Sequence, residues 1–88
     1  MTKAQIEQIL TQRFHPVQLI VTDDSHSHAG HNPQAAFGNT HFSVVIVSSE
    51  FIGKKLLERH RMVYAALNKG LQANIHALAI KALSPEEV

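Results

Sequence analysis

"HFSVVIVSSEFIGKKLLERHRMVYAALNKGLQANIHALAIKAL", residues 41–83, changes its hydrophobic period twice. Phe42, Val44 and Ile46 alternate with their neighbours, the mark of a strand with one face in a core. Val45 and Val47 add apolar character to its other face. Ser48 and Ser49 have the chemistry to cap a short turn or helix reaching Gly53. From Lys54 the period becomes helical, with Leu56, Leu57, His60, Val63, Tyr64, Leu67 and Leu71 on one broad face. Gly70 stands where a left-handed C-terminal cap belongs. "NIHALAIKAL" returns to alternation, with Leu78 and Ile80 on one face and Ile75, Ala77 and Ala79 on the other. A strand, a helix and a strand in this order most simply form a right-handed crossover with parallel strands.

Working back toward the N-terminus, Thr2 and Gln5 read as a capping box. Ile6, Ile9, Leu10 and Phe14 follow on one helical face. Pro16 disfavours helical geometry at His15, so the helix is expected to stop there. Val17, Leu19 and Val21 alternate with Gln18 and Thr22 as a first strand, which should pair antiparallel with the strand at 41–48. At the other end, Ser84, Pro85 and Glu87 resemble a helix start with no room for a helix.

The expected fold is therefore α+β. It is a single small domain over residues 1–88, with helices on one face of a three-stranded mixed sheet in a two-layer sandwich. Its 88 residues permit one domain with a thin margin of stability. Cysteine is absent, in keeping with a reducing compartment. Eight basic residues nearly balance seven acidic ones, so nucleic-acid binding needs local clustering rather than net charge. No apolar run has secretory or membrane-spanning length, and the expectation is a cytoplasmic protein.

Residues 24–40 lack periodicity and form a connection longer than compact domains ordinarily use. "DDSHSHAGHNP" within it places His26, His28 and His31 inside six residues. On their own these read as solvated loop histidines or as an adventitious site for zinc, copper or nickel. His76 alone reads as a strand-end residue as readily as a ligand. His60, on the helix's apolar face, is expected to be a core histidine satisfied by a hydrogen bond. His41 serves to orient the loop, and His15 terminates the first helix. Asp23, Asp24, Ser25 and His26 are sequence neighbours rather than a triad, and no phosphate or dinucleotide fingerprint occurs, so enzyme activity is not expected.

Four stretches together, "THF", "SSEF-x-G", "RHRMVY" and "IHALAIKA", resemble the BolA family. With the first helix and strand, the resemblance covers nearly the whole chain. It implies a fold like class II KH domains, in the order α-β-β-α-α-β. It also implies partnership with a monothiol glutaredoxin, sharing a [2Fe-2S] cluster in iron–sulfur trafficking and iron regulation. In that picture His76 and a loop histidine are ligands, His28 first and His31 as its rival. Four ligands are needed, and this chain offers no thiolate, so a partner's cysteine and glutathione would supply the rest. The isolated chain is expected to hold no cluster, and to be a monomer or weak homodimer. A ligating imidazole must be deprotonated, so acid should loosen such a cluster.

The family's second attributed role is DNA binding and transcriptional control of morphology and stress genes. Lys54, Lys55, Arg59, Arg61 and Lys69 put five cations on or near one helix, with Glu58 as counter-charge. They form either a phosphate-binding strip or a solvated helix face. KH-type RNA binding is not expected, because "GKKL" puts Leu56 where the phosphate-clamping loop needs its second glycine.

Overall fold

Thr2 opens the first helix by accepting from the Gln5 N–H at 3.2 Å, while its own N–H donates to Gln5 Oε1 at 2.8 Å. In this structure, a computed structural model, residues 2–24, 41–67 and 77–88 are described. Helix α1, Lys3–Phe14, buries Ile6, Leu10 and Phe14 and ends on His15 in the left-handed conformation, φ 46°. The His15 N–H closes the last turn on the Thr11 carbonyl at 3.0 Å, and Pro16 prevents continuation.

Strand β1, Gln18–Asp23, pairs antiparallel with β2, His41–Val47, and β2 pairs parallel with β3, Ala77–Leu83. The sheet order is β1-β2-β3, and the parallel pair is the one the crossover requires. Register places Leu19 beside Ile46 and Ala82, and Val21 beside Val44 and Ile80. These rows form the inner face, and β2, in the middle, supplies its most buried side chains: Phe42, Val44 and Ile46.

Val17 differs from expectation. It precedes β1 and its side chain is 72 % exposed, although its N–H still donates to the Val47 carbonyl at 2.9 Å.

After β2 the Ser49–Phe51 segment makes one 3₁₀ turn, and Phe51 is buried. Phe51 packs on Phe14 with ring centroids 5.1 Å apart, and the Arg13 guanidinium sits 4.6 Å from the Phe14 centroid. Buried Ser48 ties this corner together. Its hydroxyl donates to the Phe14 carbonyl at 2.8 Å, and its N–H donates to the Leu83 carbonyl at 2.9 Å. Arg13 and Glu50 add an ion pair at 2.7 Å.

Helix α2, Leu56–Leu67, packs against α1 and β3, with Val63 and Leu67 buried and Met62 and Ala66 partly so. The broad face expected from periodicity is rotated. Leu56 and Leu57 are more than 60 % exposed, and Tyr64 stays half out with its hydroxyl donating to the Leu78 carbonyl at 3.3 Å. The helix begins at Leu56, so its first turn projects past the core. Leu71 and Gly70 lie outside the described residues.

The chain closes with a second 3₁₀ turn, Pro85–Glu87, in which Glu87 caps the Ser84 N–H at 2.6 Å. Among the described residues no helix is long and apolar enough to cross a membrane.

Candidate functional site

His26, His28, His31 and His76 all lie outside the described residues, so the candidate ligands have no described geometry. The described residues do fix the points from which their segments depart. β1 ends at Asp23, and the Asp24 N–H donates to the His41 carbonyl at 2.8 Å. In the parallel pair, His41 faces Ala77. Asp24, His41 and Ala77 therefore stand side by side at one end of the sheet, across strand spacings of about 4.8 Å. The segment carrying His26, His28 and His31 leaves after Asp24 and returns before His41. His76 immediately precedes Ala77. At this end the Ser43 hydroxyl donates to the Asp24 carboxylate, which links the close of β1 to β2.

His41 opens β2 and is partly buried. His60 departs from its expected role. Its Nε2 is buried, yet it has no hydrogen-bond partner among the described residues. Among the described residues, no three His, Cys, Asp or Glu side chains gather as a metal site.

The cationic candidates divide. Lys55 and Arg61 are exposed, and Lys54 pairs with Glu58 at 3.5 Å while remaining solvent-accessible. Arg59 is different, with its side chain only 11 % exposed. Its Nε donates to the Lys54 carbonyl at 2.9 Å, and its Nη1 donates to the Ala82 carbonyl at 3.0 Å and to Glu87 at 2.5 Å. That guanidinium draws the Glu87 pKa down from 4.5 to about 2, helped by the Ser84 N–H. Arg59 joins α2, β3 and the C-terminal turn. Sequence reasoning paired none of this, because the partners are 28 residues apart. A signal was available in Glu87, whose position three residues after Ser84 marks a capping carboxylate. Lys69 lies outside the described residues.

Gly53 has φ +76°, which requires a residue without a Cβ penalty, but Leu56 occupies the position of a second clamp glycine and starts α2. The described turn keeps one of the two glycines a KH clamp uses.

Comparison with known proteins adds a family. The profile described as "BolA-like protein" matches residues 10–87. SufE-like protein 1 of Arabidopsis thaliana is 42 % identical over 96 % of this chain, which spans only 24 % of that relative's length. The DNA-binding transcriptional regulator BolA of Escherichia coli (strain K12) is 40 % identical, with 99 % of this chain and 79 % of the relative covered. Among solved structures, the BolA domain of SufE1 from Arabidopsis thaliana superposes with a TM-score of 0.87 at 43 % identity. That likeness covers 98 % of this chain and 94 % of the other.

Proposed function

The chain belongs to the BolA-like protein family, and from that premise we propose that it is an adaptor for a monothiol glutaredoxin, sharing a [2Fe-2S] cluster in iron–sulfur trafficking or iron regulation. The observation that carries this reading is the register of the sheet. Asp24, His41 and Ala77 stand together, so the loop segment and the residue before Ala77 depart from one end of the fold. Those three described residues flank in sequence the two segments that carry the histidines.

The donor chemistry fits half of a two-iron site. Imidazole is an accepted ligand on one iron of such clusters, and the other iron takes thiolates. With seven histidines and no cysteine, this chain supplies only the first kind. His76, with His28 or else His31, would hold one iron. A glutaredoxin cysteine and the thiol of glutathione would hold the other. When bound, the cluster supplies a transferable iron–sulfur unit. The chain's own task is to present neutral imidazoles and leave the remaining coordination to the partner.

The test is reconstitution of the two proteins with iron, sulfide and glutathione, read by visible absorption and circular dichroism. His76→Ala is expected to change the spectrum and shorten the cluster's lifetime, with His28→Ala or His31→Ala doing the same for the loop.

A second reading, a DNA-binding regulator, draws on the name of the Escherichia coli relative and on exposed Lys54, Lys55 and Arg61. It is weakened at Arg59, whose guanidinium is engaged by Glu87 and two carbonyls. Salt separates the readings: phosphate contacts fade as salt rises, whereas a cluster-bridged complex persists.

A further inference from the structure

Three large aliphatic side chains stand out of the surface within six residues. Ile52 is 49 % exposed, Leu56 65 % and Leu57 61 %. They occupy the turn at Gly53 and the first turn of α2, where a chain of this size gains nothing in folding from apolar groups left in water. Around them Lys55 and Arg61 are exposed, and Lys54 is 41 % exposed despite Glu58. The positive end of the α2 dipole lies at the same place. We propose that this surface docks an acidic amphipathic segment of a protein partner, with aliphatic side chains against Ile52, Leu56 and Leu57 and carboxylates against Lys54, Lys55 and Arg61.

Charge complementarity selects this occupant. A second copy would bring the same cations against themselves. A nucleic acid would use the cations but has no need of three protruding aliphatics, and Arg59, which would complete the cationic strip, is held by Glu87.

The surface is also separate from the sheet end formed by Asp24, His41 and Ala77. Ile52 and the start of α2 follow the C-terminal end of β2, where Arg59 reaches Ala82 near the end of β3. Asp24, His41 and Ala77 stand at the opposite end, and the seven residues of β2 span roughly 20 Å between them. The proposed docking surface thus lies at the end of the described sheet opposite Asp24, His41 and Ala77.

The test uses the full chain, ¹⁵N-labelled. It is titrated with a synthetic helical peptide bearing leucines at i, i+3, i+4 and i+7 and glutamates elsewhere. The expected chemical-shift changes are confined to residues from Ile52 to Arg61. Binding is expected to weaken roughly fivefold or more for Leu56→Ser with Leu57→Ser, and likewise for Lys55→Glu with Arg61→Glu. All four side chains are exposed, so circular dichroism and Tm should match the wild type. The acidic peptide leaving these residues unshifted overturns the proposal. So does an equal response to a lysine-substituted peptide, or a response at these residues only to duplex DNA or to anionic phosphatidylserine vesicles.

Discussion

Arg59 and Glu87, 28 residues apart, meet at 2.5 Å, and the same guanidinium nitrogen also donates to the Ala82 carbonyl. One side chain thereby fastens α2 to the end of β3 and to the last turn of the chain. Replacing it with methionine keeps the stem's packing but leaves the Ala82 and Lys54 carbonyls without this donor, while the exposed Glu87 carboxylate stays solvated. Arg59→Met is expected to lower unfolding free energy by about 1–3 kcal/mol. Urea denaturation checks this, with the midpoint falling and the slope unchanged.

The pair also sets an acid response. Glu87 has its pKa lowered from 4.5 to about 2, chiefly by Arg59. A carboxyl depressed on folding contributes stability above its unfolded value and loses it as pH falls toward the folded one. The stability gap between wild type and Glu87→Gln should therefore be constant above about pH 5 and close between 4.5 and 2. Urea midpoints across that range decide it, and a gap that persists unchanged at pH 2 contradicts the assignment.

His60 yields a prediction of opposite sign. Its buried Nε2 lacks a hydrogen-bond partner among the described residues, and a buried polar atom left unpaired there carries a desolvation cost. His60→Leu should raise stability by about 1 kcal/mol, seen as a higher Tm.

Phe51, fully buried, fills the corner between α1 and the sheet against Phe14. Phe51→Ala should cost about 3–5 kcal/mol. Domains hold only about 0.05–0.15 kcal/mol per residue, so this loss takes much or all of the margin. Thermal unfolding followed by circular dichroism should show a collapsed or much lower transition.

These effects also mark where sequence reading stops. Thr2 and Gln5 announced α1 because a capping box is local chemistry. The alternation at Phe42, Val44 and Ile46 fixed the inner face of β2 because a period of two leaves one choice. Helix α2 gave no such constraint. Leu56, Leu57, Met62, Val63, Tyr64 and Leu67 spread over an arc of about 220°, too broad for periodicity to set the rotation, and the core took the part of it centred on Val63 and Leu67. Val17 fitted the alternation and its N–H does reach the Val47 carbonyl, yet its side chain stays exposed at the end of the sheet. Arg59 looked like one of a row of surface cations, since nothing local announces a partner 28 residues away. As for the site, the sheet end from which its segments depart follows from strand order and register, both implied by the crossover. His28, His31 and His76 themselves lie outside the described residues, and solution chemistry has to address them.

The decisive measurement is therefore the cluster itself. Wild type and His76→Ala are each reconstituted with a monothiol glutaredoxin and glutathione, and the visible circular dichroism and decay of the [2Fe-2S] chromophore are followed. A spectrum distinct from that of the glutaredoxin alone, lost in His76→Ala, is the predicted result. Identical spectra and lifetimes for both forms would contradict the claim that this chain lends its histidine to a shared site.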